Sequence, residues 1–368
     1  MIPAPGLGRR LHGLLGPYLA RAAATPGADR YRKHFPLRAH LGILLVHVLD
    51  GADSLRQTHA RLAAGGFAGL DLPRGISFSQ LARSSTSRDP TAVAGMLADL
   101  VATARGSTDP TWQALTRVQV VDSSFLALSA KLSPWSQHGK HAPGVRVQTG
   151  FDLAGSIPAH LVLTRADTHD TTALRARDLA ALAGWTVVID LGYYGHRLFA
   201  ELRAAGVALI CRLHPQAVYH VTAEHAVPAI ATPDGDVVLT DQTITLGSPN
   251  NRAGAVLPGL RLITSRNPRG EEHRFVTDRV DLAAADVVAL YRKRWQIELF
   301  FRFLKHQLKL LRPLGHSRAA VWLGVLIAAI AAILLVLLAD QQPRGVTRVA
   351  FARALAALLP PPAWLDSG

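Results

Sequence analysis

The sequence predicts an α/β fold: a mixed five-stranded sheet with flanking helices, interrupted by a β-rich insertion and preceded by an all-helical N-terminal domain. Three observations carry this. Residues 1 to 110 read as helices with no alternating strand pattern, β-branched runs alternate with helical stretches from Arg117, and short β runs separated by turn signals fill 213 to 274. At 368 residues, with 49% hydrophobic and 18% charged content, the chain can bury one large core plus a smaller domain, and its composition is that of a globular protein.

The N-terminal segment LHGLLGPYLARAAA follows Arg9-Arg10 as a signal peptide would, but His12, Pro17 and Arg21 interrupt it, so a short amphipathic helix is expected. LRAHLGILLVHVLDG, SLRQTHARLAAGG, ISFSQLARSSTSRDP and TAVAGMLADLVATA continue as short helices with Gly-rich breaks. The Ser/Arg-rich segment Ser79 to Arg88 fits a helix-turn-helix and a purely structural cap equally well.

From Arg117 the run RVQVVDSSF reads as a strand whose last residue is Asp122. VRVQTGFDL (145 to 153) and IPAHLVLT (157 to 164) complete a three-strand meander. A helix from Thr171 to Ala183 then leads into WTVVIDLGYYG, where the strand ends at Asp190. A helix from His196 to Ala205 and the strand VALICRL (207 to 213) follow. Strand, strand, strand, helix, strand, helix, strand, with an acid on the first and fourth strands, is the ribonuclease-H-like order. In that fold these two strands are neighbours, so Asp122 and Asp190 can meet across 68 residues of sequence. A lone strand-end Asp is more often a turn or cap residue than a ligand, and Asp170 in ADTHD reads as a cap of the helix beyond it. The sheet domain is thus assigned to 111–212 and 275–340, the insertion to 213–274 and the helical domain to 1–110. A basic tail with Arg344, Arg348 and Arg353 occupies 341–368. No internal repeat and no Gly-rich phosphate loop is present.

A helix is expected from Tyr291 to Lys309, YRKRWQIELFFRFLKHQLK. At about 100° per residue, Tyr291, Arg294, Glu298, Arg302, Lys305 and Lys309 share one face, with a single acid inside a basic stripe. Periodicity alone is equally satisfied by a surface helix with Arg294, Glu298 and Arg302 paired at i,i+4. The spacing Tyr-x2-Arg-x3-Glu-x6-Lys is more specific. With six Tyr, five Glu and six Lys in the chain, a chance match has a probability of roughly one in ten thousand. This pattern resembles the signature of DDE transposases of the insertion sequence 4 family.

The resemblance covers roughly residues 30 to 340. It implies that Asp122, Asp190 and Glu298 are catalytic and hold two divalent ions, Mg²⁺ or Mn²⁺, with their carboxyl carbons within roughly 10 Å of one another. It implies that Tyr291, Arg294 and Lys305, with Arg302 and Lys309 on the same stripe, contact DNA phosphates. The partners implied are double-stranded DNA, as transposon terminal inverted repeats and target, and a second copy of the chain on paired ends. The activity implied is metal-dependent phosphodiester cleavage at transposon ends followed by strand transfer. The sequence departs from the family in DSS after the first strand, where Asp-Ser-Thr is common, and in its short C-terminal tail.

Charge and cysteine usage agree with a cytoplasmic, nucleoid-associated protein. The formal net charge is +14, and 34 of the 40 cations are Arg, whose planar fork suits phosphate. Cys211 is the lone cysteine, which excludes intrachain disulfides and Cys-based zinc clusters. Ala319 to Ala339 lacks any charge over 21 residues, long enough to cross a membrane. Its position behind the basic helix, and the apolar helix that the family packs against its catalytic sheet, favour a buried core helix and no membrane. Two rivals remain: a DNA-binding relative without catalysis, and a single-span membrane protein with a basic cytoplasmic domain.

Overall fold

The structure is a computed structural model that describes residues 4–30, 34–65, 75–106, 117–227, 231–248, 255–306, 308 and 310–340. By compactness it divides into two units, the first comprising 1–107, 127–137 and 300–368, the second 108–126 and 138–299.

The first unit is helical. It contains α1 (Ala4–Ala24), α2 (Leu37–Leu49), α3 (Leu55–Ala63), α4 (Phe78–Ser87) and α5 (Thr91–Gly106). Serine N-caps start α3 and α4. Ser54 accepts from the Gln57 backbone N–H while Gln57 accepts from that of Asp53, and Ser77 accepts from that of Gln80. The segment expected at Ser79 to Arg88 is therefore mostly α4. Residues 66–74, between α3 and α4, lie outside the described residues, as does the tail beyond 340. The long apolar run forms α10 (Arg318–Asp340), and it is mostly buried. Its packing partners in this unit are α5, α2 and α4, where packing on the sheet was expected. The reason is compositional: α2, buried at Leu37, Leu41, Ile43, Leu44, Leu45 and Val48, offers the continuous apolar surface that α10 needs.

The second unit is built on one sheet. Its strands are β1 (Val118–Ala127), β2 (Gly144–Asp152), β3 (Ile157–Arg165), β4 (Thr186–Ile189), β5 (Ala208–Arg212), β6 (Tyr219–Glu224), β7 (Val237–Leu246), β8 (Leu257–Arg266) and β9 (Glu272–Thr277), in spatial order β3-β2-β1-β4-β5-β9-β8-β7-β6. The first five positions, with β2 and β3 antiparallel and β1, β4 and β5 parallel, are the ribonuclease-H-like order. The sheet has nine strands: the β-rich segment expected apart from the five core strands joins the same sheet. β9 adds antiparallel to the open edge of β5, with Cys211 opposite Val276, and so carries β8, β7 and β6 into the same ladder instead of leaving that edge bare. Flanking helices are α6 (Asp170–Arg175), α7 (His196–Ala204) and α8 (Ala284–Arg292); α9 (Trp295–His306) begins in this unit. The helix expected over Thr171 to Ala183 ends at Arg175, followed by a single tight turn at Ala180–Leu182. Val121, Val187, Ile189, Phe199, Leu202, Leu209 and Cys211 form the core under the sheet.

Candidate active site

The parallel ladder between β1 and β4 ends with Val121 opposite Ile189. Asp122 and Asp190 are the next residues, so they leave the carboxyl ends of adjacent strands together, at a strand spacing of about 4.8 Å. From β1 the chain proceeds outward to β2 and β3 on one side, and β4 and β5 lie on the other. Such a reversal of strand order opens a crevice at the carboxyl ends. Asp122 is not the last residue of its strand, since β1 runs on to Ala127 beside β2; it is the first residue beyond the pairing with β4.

Local bonds fix both carboxylates. Asp190 Oδ1 accepts from the Gly192 backbone N–H at 2.9 Å. A Cβ at position 192 would lie 3.1 Å from that oxygen, so glycine keeps the approach open. The Cys211 thiol donates to the Asp190 carbonyl at 3.4 Å, and burial pushes its pKa up, keeping it protonated. Asp122 Oδ1 accepts from the Ser123 backbone N–H at 2.7 Å. Burial pushes the Asp122 carboxyl up to about 6, the Ser123 bond opposes this, Asp190 and Asp170 add to it, and Arg294 opposes it.

The stripe expected on one helix is broken. Tyr291 lies in the last turn of α8 and Glu298 in the first turn of α9, while Lys293 and Arg294 form a tight turn between the helices. Three-residue hydrogen bonds, Arg294 N–H to Tyr291 O at 2.9 Å and Gln296 N–H to Lys293 O at 2.9 Å, replace the helical ones. No Gly or Pro marks the break. Arg292 is drawn to the buried Asp236, whereas Arg294 is drawn to the acids: Nη2 lies 2.5 Å from Glu298 Oε1, and Nη1 lies 3.6 Å from Asp122 Oδ2. One guanidinium thus bridges the first and third of the predicted acids. Tyr291 is half-buried against the Phe275 ring at 4.8 Å, and burial pushes its phenol up to about 12. Arg212, His273, Phe275, Tyr291, Arg294 and Trp295 surround a cavity of about 190 Å³. Further along α9, Arg302 is exposed and Lys305 half-buried, its pKa lowered by burial. Lys309 lies outside the described residues.

Sequence reasoning missed a fourth acid. Asp170 does not cap α6, whose N-cap is His169. Its Oδ1 instead accepts from the Ser123 hydroxyl at 2.7 Å and from Gln148 Nε2 at 3.4 Å. Tyr193 is fully buried, its hydroxyl has no hydrogen-bond partner among the described residues, and Asp170, Asp122 and Asp190 all raise its pKa beyond the effect of burial. An all-oxygen donor set, with two carboxylates on adjacent strands and an unpartnered hydroxyl within their electrostatic reach, suits a hard divalent cation. Among the described residues no three acidic, His or Cys side chains are gathered as a complete cation cage, and Glu298 is engaged by Arg294.

A ribonuclease-H-like sheet with two acids placed just beyond the pairing of β1 with β4 defines a class of nucleic-acid-processing folds. Within it, the family described as "Transposase DDE domain" matches residues 113–334, and the chain belongs to that family. A protein of Sinorhizobium fredii (strain NBRC 101917 / NGR234) named as transposase y4zB is 29% identical over 219 residues, covering 59% of this chain and 60% of the relative. A protein of Geobacillus stearothermophilus named as a transposase for insertion sequence element IS5377 is 24% identical over 227 residues, covering 62% and 58%. The chain thus matches less than two thirds of either relative's length. The piggyBac transposase synaptic complex with hairpin DNA superposes with a TM-score of 0.49 and 10% identity, covering 97% of this chain and 80% of the other.

Proposed function

We propose that this chain is a transposase of a bacterial insertion sequence, similar to the insertion sequence 4 family, that cleaves phosphodiester bonds at transposon ends and transfers the freed strand. What supports the reading is the meeting of Asp122 and Asp190 at the end of one parallel ladder with Glu298 linked to Asp122 through Arg294. Asp122, Asp190 and Glu298 would hold Mg²⁺ or Mn²⁺. Two such ions supply a deprotonated nucleophile and stabilise the leaving oxygen. Arg294 neutralises the acids of the DNA-free protein, and with Tyr291, Arg302, Lys305 and Lys309 it contacts backbone phosphates, which position a duplex without reading its sequence. The β-rich segment 213–274 acts as an insertion in a catalytic core of 111–212 and 275–340. Residues 1–110 form the helical DNA-binding domain, with 341–368 as a tail. The protein works in the cytoplasm on the nucleoid, as a homodimer holding paired terminal repeats and target DNA.

Glu298→Gln tests the assignment. As a salt-bridge partner of Arg294, Glu298 is worth at most about 1 kcal/mol, so the variant folds and binds the element's own end DNA in a mobility-shift assay. Mg²⁺-dependent cleavage is lost. Near-normal cleavage by the variant would sink the proposal.

A further inference from the structure

We propose that Asp170 is a positioning residue for Asp122, acting through Ser123; this rests on the reading of Asp122 as a metal ligand. Ser123 is a node. Its backbone N–H donates to Asp122 Oδ1 at 2.7 Å, its hydroxyl donates to Asp170 Oδ1 at 2.7 Å, and its Oγ accepts from Arg146 Nη1 at 3.1 Å. Both flanking groups are themselves held, Arg146 through Nε to the Ala166 carbonyl at 3.1 Å and Asp170 through Gln148 Nε2 at 3.4 Å.

The arrangement supplies what the ladder does not. Pairing of β1 with β4 stops at Val121, so on that side the backbone at Asp122 and Ser123 has no further strand to hold it. The Asp170–Ser123–Arg146 clamp ties the backbone from β2 and α6 instead. With Oδ1 of Asp122 committed to Ser123, the remaining oxygen, Oδ2, is the one turned toward Arg294. Asp170 thereby sets which oxygen Asp122 offers. Its placement explains why a residue 47 positions away in sequence, at the first turn of α6, spends its carboxylate on a serine of β1 and not on its own helix.

Groups that orient a metal ligand cost about 10- to 100-fold in metal affinity or activity when removed. Mn²⁺ binding to the DNA-free protein, followed by electron paramagnetic resonance, is measured beside cleavage for four variants. Asp170→Ala and Ser123→Ala should each weaken Mn²⁺ binding and slow cleavage by about 10- to 100-fold, and the double variant should be no worse than either single one, because both break one linkage. Asp170→Asn keeps an oxygen that accepts from Ser123 and should stay within about threefold of the wild type. Asp170→Ala at wild-type affinity and rate overturns the proposal. So does equal loss in Asp170→Ala and Asp170→Asn with Ser123→Ala unaffected, which would make Asp170 act by its charge. Should Asp170→Ala fail to fold, Ser123→Ala and Asp170→Asn decide by the same criteria. Failure of the wild type to cleave, with Mn²⁺ binding unaffected by Glu298→Gln, would instead sink the reading of the site itself.

Discussion

At the scale of single residues, the site stores electrostatic cost. Asp122 is pushed up to about 6 from an ordinary 3.8, burial first and its carboxylate neighbours after. A folded pKa above the unfolded one means that the folded protein holds a proton the unfolded chain releases. The stability is full below pH 4 and is lost as pH rises through 6, by on the order of 3 kcal/mol for a shift of this size. Asp122→Asn removes the titration. In protein dialysed against chelator, it should raise the thermal midpoint at pH 7 by several degrees and flatten the fall between pH 4 and 7. The same substitution should abolish cleavage, a trade of activity for stability. Mg²⁺ should stabilise the wild type at pH 7 and leave the variant unmoved. A variant less stable than wild type at neutral pH in chelator would show that Asp122 is not strained by its surroundings.

At the scale of elements, β7 and β8 hold the segment that leads into α8. Arg261 on β8 pairs with Asp241 on β7 at 2.5 Å, both nearly buried, and also donates to the carbonyls of Arg279 and Leu282, just before α8 delivers Tyr291 and the turn at Arg294. Removing one partner of a buried pair costs about 3–5 kcal/mol, because the other charge is left uncompensated, while apolar replacement of both is far milder. Asp241→Ala should therefore lower the urea midpoint much more than Asp241→Leu combined with Arg261→Met. Equal losses would mean that the pair carries no special charge burden. The order of β1 to β5 was legible because β-branched runs and helices alternate there with clear turns. Asp122 and Asp190 were legible for the same reason: each follows an apolar strand. The break between α8 and α9 was not, since YRKRWQIEL keeps helical periodicity without Gly or Pro, and the turn comes from Arg292 and Arg294 being drawn to different acids. Nor was Asp170, whose partners on β1 and β2 lie too far along the chain for local spacing to reveal.

At the scale of the molecule, the excess of cations bears on DNA. With a formal charge of +14, sequence-independent attraction to a polyanion is the default, and its strength should fall steeply with salt, log K dropping by about 0.9 for each phosphate contact per decade of salt. The cations of α8 and α9 do not enter this on equal terms. Arg302 is exposed and Lys305 half-buried, and neither pairs with an acid among the described residues, whereas the charge of Arg294 is already engaged by Glu298 and Asp122. Counterion release counts only charge that the free protein presents to solvent. Arg302→Ala and Lys305→Ala should therefore each reduce the salt slope by about one contact between 50 and 200 mM, and Arg294→Ala should reduce it by less. An Arg294→Ala slope that falls by a full contact would mean that Arg294 leaves its two acids when DNA binds, freeing Glu298 in the same step. Unchanged slopes for Arg302→Ala and Lys305→Ala together would remove α9 from the phosphate-binding surface.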